Sequence, residues 1–368
     1  MPTSDPTTTR HREAGAPTRG PAAGVDAREI LVEAPARLHL GFIDLHGGLG
    51  RRYGSVGVAI DGFGVRLRVE RAPRPTGSVE DVAVAGPGAE RMRRLAERFL
   101  LQADAWAESL GTAAAFRDAR RRSIVNMTID ECVPDHVGLG SGTQAALACG
   151  AALSEAFGLG IATRTVAAMT ERGARSGIGV GVFEHGGFVV DGGHAPGSAE
   201  PPPVVSRLSF PPAWRIVLVF DRDGRGVHGA AEIEAFRRLP PFPEAQAERL
   251  ARIVLMRMLP GLAEERLEEF GAAVAEMQDR IGDHFAAAQG GRFASAHVAR
   301  CLQAARDAGV LASGQSSWGP TGFAVVDSDA AAQELAERMR RALPDGGARG
   351  VDLRVVRGRN RGARRGGA

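Results

Sequence analysis

Pro134-Asp-His-Val-Gly138-Leu139-Gly140-Ser141-Gly142-Thr143-Gln144 is the stretch whose reading decides the fold. It follows a β-branched run, Ser123 to Ile129, and opens a helix-like run, Gln144 to Phe157. Small residues at such a junction let the backbone approach an anion closely, and the N–H groups of the helix's first turn point at it. Ser141 and Thr143 add hydroxyls, and Thr143 could also help to place a metal ion. No Gly-Lys-Ser/Thr follows, so this is not a Walker A loop. A glycine turn ahead of a helix also occurs without any ligand, so the segment alone leaves phosphate binding open.

Upstream lies Ala34-Pro-Ala-Arg37-Leu-His39-Leu-Gly41-Phe-Ile-Asp44-Leu-His-Gly47. Alternate residues of a strand share a face, which puts Leu38 and Leu40 toward the core and Arg37 and His39 together on the other side. With Asp44 just beyond, that pair could clamp an anion and supply acid–base chemistry. The alternative is a surface pair on an edge strand. Downstream lies Ser313-Gly-Gln-Ser316-Ser317-Trp318-Gly319-Pro-Thr321-Gly322-Phe323, a Gly/Ser loop between two short strands. Ser316, Ser317 and the backbone around Gly319 could close over a ligand, or the segment is a plain hairpin. Glu184, His185 and Asp191, set among glycines, are secondary candidates for which a structural role is the competing reading.

The 368 residues suffice for two modest domains, and a hydrophobic content of 44% supports a real core. The net charge of +3 has an unusual origin, because the chain contains no lysine and all 46 basic residues are arginines. Lysine Schiff bases, lysine general bases and phosphate-gripping lysines are therefore excluded. Any anion must be held by Arg, backbone N–H groups, His or metal. Aromatics at 5%, with Tyr53 the single tyrosine, make a base-stacking nucleic-acid platform hard to build. Three cysteines, Cys132, Cys149 and Cys301, lack metal-ligand spacing and read as structural thiols of a reducing compartment. Residues 1–28 contain no apolar signal core, and no run approaches the roughly 18 apolar residues of a membrane span. A cytoplasmic protein is expected, with neither nucleic acid nor membrane as partner, and a homodimer is the default assembly.

Along the chain, residues 1–28 and the basic tail 357–368 read as disordered. Strands are expected at Ile30 to Glu33, Arg37 to Ile43, Val56 to Ile60 and Val65 to Glu70, and a helix at Ala89 to Ser109. The Gly- and Pro-rich stretch from Gly192 to Pro203 suggests a boundary between one domain at 29–195 and another at 204–356. In the second, a strand at Trp214 to Phe220 precedes helices around 229–238, 244–258, 262–287 and 293–308. A strand–loop–strand, a helix at 329–342 and a strand at 351–356 complete it.

Taken together and in order, the three segments resemble the three motifs of the GHMP-kinase superfamily, over residues 31 to about 356. The resemblance implies an α+β fold of two domains. A left-handed βαβ-containing, ribosomal-protein-S5-like N-terminal half would be followed by a ferredoxin-like C-terminal half, with the site between them. Two departures argue against a kinase. Many kinases of the superfamily carry an Asp soon after a Ser-Gly pair, whereas here Ser176-Gly177 is followed by Ile-Gly-Val-Gly-Val-Phe-Glu184. The lysine partner of that Asp is impossible in this chain.

Both departures fit one branch. ARLHLGFIDLHG, GLGSGTQ, RSGIGVGVFEHGGFVVDGG and SGQSSWGPTGF resemble the β-ribofuranosylaminobenzene 5′-phosphate synthase family, which acts early in tetrahydromethanopterin biosynthesis. The resemblance implies condensation of phosphoribosyl pyrophosphate with 4-aminobenzoate (4-hydroxybenzoate in some members), with loss of pyrophosphate and CO2. It implies Mg2+ and no ATP. In that reading Gly138, Leu139, Gly140, Ser141, Gly142, Thr143 and Gln144 hold the phosphorylated substrate. Arg37 clamps an anion, and His39 and Asp44 handle protons or contact metal and ribose. The rival readings are an ATP-dependent small-molecule kinase of the same fold, marked by ATP turnover, and a non-catalytic sugar-phosphate binder, marked by binding without turnover.

Overall fold

The computed structural model describes residues 29–135, 137–222, 224, 234, 237–344 and 350–367. The disordered tail expected at 1–28 and most of the helix expected at 229–238 lie outside these residues. The chain opens with a long antiparallel pair, β1 (Ile30–Asp44) and β2 (Tyr53–Pro73), in register from Ile30 opposite Val69 to Asp44 opposite Tyr53. The two strands expected between Ile30 and Ile43 are thus one, bent by register shifts at Pro35/Ala36 and His39/Gly41.

Next come β3 (Val82–Ala85), α1 (Ala89–Ser109), α2 (Ala113–Arg122) and β4 (Ser123–Glu131), a βαβ unit whose strands pair in parallel. Helix α1 forms because Met92, Leu95, Ala96, Phe99, Leu100 and Ala103 recur every three or four residues and bury one stripe. The chain continues through α3 (Ser141–Ala156), α4 (Thr163–Met169), α5 (Ile178–His185), β5 (Phe188–Asp191) and β6 (Val204–Leu208). Helix α3 is almost wholly buried, and its Ala, Leu, Cys and Gly residues pack into the first core with α1 and β4.

The second half comprises β7 (Arg215–Asp221), α6 (Glu244–Ile253), a π-helical turn at Val254–Met258, α7 (Leu259–Ala263) and the long α8 (Leu267–Gln289). It closes with α9 (Ala296–Asp307), β8 (Ser313–Gln315), β9 (Thr321–Val326), α10 (Asp329–Arg341) and β10 (Val351–Val356). Ser295 and Ser328 cap α9 and α10 by accepting the N–H groups of Val298 and Ala331. Strand order β10-β7-β9-β8, all antiparallel, with α9 and α10 as the crossing helices, is the ferredoxin-like arrangement. A shared core joins the halves, with Leu38, Val56 and Val58 of the first sheet packed with Phe270, Met277 and Phe323 of the second half.

Two expectations are corrected. The basic tail is not disordered throughout: β11 (Arg364–Gly367) pairs antiparallel with Ile30–Glu33 and extends the first sheet to β11-β1-β2-β4-β3. Docking explains it, because Arg365 lies over the Phe183 ring and donates to Thr163, while the Asn360 side chain bonds the backbone of Phe210 in both directions. The boundary between halves also falls later than 195–204. Strand β6 pairs with β5, and β5 with β2, so Val204–Leu208 belongs to the first sheet. Cys149 and Cys301 are buried free thiols, pushed by burial up to about 12, while Cys132 is half-buried. No helix among the described residues is long and apolar enough to cross a membrane.

Candidate functional site

The glycine loop enters α3 through two left-handed residues, Gly138 (φ 86°) and Gly140 (φ 78°). A side chain at Gly138 would come within 2.6 Å of the Ser316 carbonyl oxygen, and one at Gly140 within 2.9 Å of Arg37 Cγ. Both positions therefore require glycine for conformation and for space. Ser141, Gly142 and Thr143 form the first turn of α3, which no side chain caps; the Thr143 N–H bonds back to the Gly140 carbonyl at 3.1 Å, leaving the Ser141 and Gly142 N–H groups at the positive end of the helix.

All three sequence segments converge here. Arg37 donates its backbone N–H to the Leu139 carbonyl at 3.1 Å, and its Nη1 donates to the Gly138 carbonyl at 2.7 Å. The same carbonyl accepts the Ser316 hydroxyl at 2.7 Å, and that hydroxyl accepts the His39 N–H at 3.1 Å. Ser317 N–H returns a bond to the His39 carbonyl, Gly319 presses on Gly138, and the Thr321 hydroxyl donates to the Val137 carbonyl. The late glycine loop thus holds the loop before α3 from behind, and Arg37 places its guanidinium beside Gly140.

His39, expected to handle protons or contact metal and ribose, with a surface pair as the alternative, is only 5% exposed, its ring edge-on to Phe42 at 4.8 Å. It faces a cavity of about 40 Å³ between the halves, lined also by Gln278, Phe285 and Trp318. Its Nε2 has no hydrogen-bond partner among the described residues. Burial first, and then the Arg37 charge, pull its pKa down to about 3, so the imidazole is neutral at physiological pH.

Asp44 lies seven residues from Arg37, roughly 20 Å along a strand. Its Oδ1 accepts the N–H groups of His46 and Gly47 at 2.8 and 2.7 Å, which fixes the turn after β1. Arg37, His39 and Asp44 therefore do not form one catalytic cluster. Gln144, buried, bonds the Gly179 carbonyl through Nε2 and ties α3 to α5.

The Arg175–Asp191 stretch divides. The residues after Gly177 form α5, and its Gly179 packs on Thr143 beside the glycine loop. Glu184 and His185 lie at the other end of this helix, against the C-terminal segment around Gly362, and do not reach the loop. Asp191 is fully buried and accepts from the Ser55 hydroxyl and from Gly177 and Gly193 N–H at 2.9 and 3.0 Å. Burial raises its pKa against the pull of those donors. It anchors the start of α5 and is sealed from any ligand.

Sequence reading missed two arginines. Arg172, after α4, and Arg91, on α1, bring their guanidinium groups to the first turn of α3: a side chain at Gly142 would stand 3.4 Å from Arg172 Nη1 and 3.8 Å from Arg91 Nη2. They lie far from the loop in sequence, and nothing local signals the approach. A cavity of about 620 Å³ adjoins Arg175, with aromatic walls from Tyr53, Phe242 and His284 and cations from Arg52 and Arg237.

Two family models match the chain, GHMP kinases N terminal domain over residues 108–187 and GHMP kinases C terminal over 258–345. Among curated proteins, β-ribofuranosylphenol 5′-phosphate synthase of Archaeoglobus fulgidus is 35% identical over 352 residues, covering 90% of this chain and 98% of that protein. The chain belongs to the β-ribofuranosylphenol 5′-phosphate synthase family. A second member, from Methanothermobacter thermautotrophicus, is 33% identical over 310 residues, 81% of this chain and 89% of that protein. The fold of this synthase family is also that of solved GHMP proteins. Homoserine kinase of Cytophaga hutchinsonii superposes with TM-score 0.63 at 20% identity, covering 92% of this chain and 97% of that one. Mevalonate diphosphate decarboxylase of Enterococcus faecalis superposes with TM-score 0.61 at 12% identity, over 93% and 100%. The two synthase relatives are covered over 98% and 89% of their own length, so the convergent loops described above belong to an enzyme family.

Proposed function

We propose that this synthase condenses phosphoribosyl pyrophosphate with a 4-substituted benzoate, 4-aminobenzoate or 4-hydroxybenzoate, releasing pyrophosphate and CO2 without ATP, as an early cytoplasmic step of tetrahydromethanopterin-type cofactor synthesis. The observation that carries this reading is an intact anion loop beside which the described carboxylates, Asp135 and Glu171, are already paired with Arg91 and Arg98. Arg37 and Ser316 brace Gly138, while the neighbouring His39 is neutral and buried and Asp191 is sealed. Phosphoryl transfer to a hydroxyl wants a carboxylate near the acceptor. Decarboxylating condensation wants none. The C1–O bond to pyrophosphate breaks, the ring carbon bearing the carboxylate attacks C1, and the electrons of its bond to the carboxylate restore the aromatic ring as CO2 departs. No proton is taken from carbon.

The chain's own work is electrostatic and geometric. The first-turn N–H groups of α3 and the Arg37 guanidinium take charge that builds on the departing pyrophosphate. Holding ring and ribose together can contribute on the order of 7–11 kcal/mol. No three His, Cys, Asp or Glu side chains among the described residues converge as a metal site. That donor set fits Mg2+ arriving on the substrate's phosphates with Ser141 and Thr143 as the protein's contacts, since Mg2+ keeps waters and few protein ligands. There it would neutralise charge on the leaving group.

The test uses purified protein, phosphoribosyl pyrophosphate, Mg2+ and carboxyl-labelled 4-aminobenzoate or 4-hydroxybenzoate, with no ATP. Labelled CO2 that requires both substrates supports the synthase. Absence of release with either acid, alongside ATP consumption on a sugar or polyol, would overturn it.

A further inference from the structure

The neighbourhood of Gly142 holds more positive charge than the described residues neutralise. Arg91 pairs with Asp135, and Arg98 pairs with Glu171. The Arg172 side chain, between them, makes no hydrogen bond or ion pair with any described residue, and its Nε is buried without a partner. Its position is nonetheless fixed, because its N–H donates to the Ala167 carbonyl at 2.7 Å and Arg164 ties the adjoining turn to Pro201 and Pro202. Burial, then the charges of Arg91 and Arg98, disfavour its protonated form and outweigh the opposing pull of Glu171. The positive end of α3, about half a unit charge, adds to the repulsion. Cations crowded against a helix N-terminus destabilise the free protein unless an anion completes the cluster.

Resting on the synthase reading, we propose that Arg172, backed by Arg91, binds the pyrophosphate of the substrate at the Gly142 end of the loop. Arg37 beside Gly140 and Arg172 beside Gly142 then flank the first turn of α3, one guanidinium for each end of a two-phosphoryl group. A lysine-free chain has to give this task to arginine, and a single phosphate would satisfy only one of the two.

Calorimetric titration of the full-length protein with Mg2+–pyrophosphate and with inorganic phosphate, in wild type, Arg172→Gln, Arg172→Lys and the surface control Arg94→Gln, tests this. Arg172→Gln should weaken pyrophosphate binding roughly ten- to hundredfold. It should raise KM for phosphoribosyl pyrophosphate while leaving KM for the benzoate unchanged. Arg172→Lys should recover part of the affinity, and Arg94→Gln should match wild type. The ligand-free Tm separates binding from structure: a binding cation predicts Arg172→Gln at least as stable as wild type, whereas a structural one predicts a fall. Unchanged pyrophosphate affinity in Arg172→Gln, or a lower ligand-free Tm with loss of both substrates alike, would overturn the inference. Pyrophosphate binding that needs Arg172 in a protein that releases no CO2 would support it while overturning the synthase reading.

Discussion

Acidification from pH 7 to about pH 5 should destabilise the wild-type protein by about 2 kcal/mol more than a His39→Gln variant. The imidazole is buried between the halves with Nε2 unpartnered, and its pKa falls from 6.5 to about 3. The unfolded chain therefore takes up a proton near pH 6.5 that the folded chain refuses. Stability from this group is complete above 6.5, is lost progressively below it, and the loss saturates only near the folded value of about 3. Each pH unit in that window costs about 1.4 kcal/mol, so the 1.5 units to pH 5 give the figure quoted. Glu276, held down to about 2 by Arg249 and Arg280, loses its contribution only below its ordinary 4.5 and does not confuse the comparison. Urea unfolding followed by tryptophan fluorescence, at both pH values and for both proteins, measures the difference. Equal pH dependence in the two would refute the claim that His39 is sealed and neutral.

Other perturbations have equally definite outcomes. Ser316→Ala removes the hydroxyl that links His39 N–H to the Gly138 carbonyl and should lower stability by about 1–3 kcal/mol, read by urea unfolding, with a raised KM for phosphoribosyl pyrophosphate. Gly138→Ala places a methyl 2.6 Å from the Ser316 carbonyl at a left-handed φ, so pyrophosphate binding should be lost in calorimetry. Glu184→Gln and His185→Ala, at the far end of α5, should leave CO2 release within about twofold of wild type, since surface changes away from a site are small. Asp191→Asn keeps one oxygen and turns the other into a donor, so either Gly193 or both Ser55 and Gly177 lose their acceptor and Tm should fall markedly, because buried donors left unpaired are costly.

The glycine loop ahead of α3 was legible because its form is local: Gly138 and Gly140 take left-handed conformations just before a helix. The amphipathic helices were legible for the same reason, through the spacing of residues such as Met92, Leu95 and Phe99. What was misread or left unassigned depends on partners distant in sequence. Sequence places no element on the stretch after Ser176, whose glycines permit the close packing of α5, with Gly179 on Thr143 and Gly181 between Val189 and Val204. The arginine-rich C-terminus has the composition of a solvated tail, but Ile30–Glu33 offers it a strand edge and Phe183 a ring. Strand alternation correctly grouped Arg37 with His39, though it could not tell that the shared face is covered by the second half. Arg91 and Arg172 left no local signal, because only the packing of α1 and α4 beside α3 brings them to Gly142.

The central claim is that the loop serves a pyrophosphorylated sugar and not a nucleotide. Calorimetry of the wild-type protein with Mg2+–phosphoribosyl pyrophosphate and with Mg2+–ATP tests it most directly. The account predicts that the sugar binds at least about tenfold tighter, a difference of about 1.4 kcal/mol, and that Ser141→Ala weakens this binding. Tighter binding of ATP, unaffected by phosphoribosyl pyrophosphate as competitor, would contradict it.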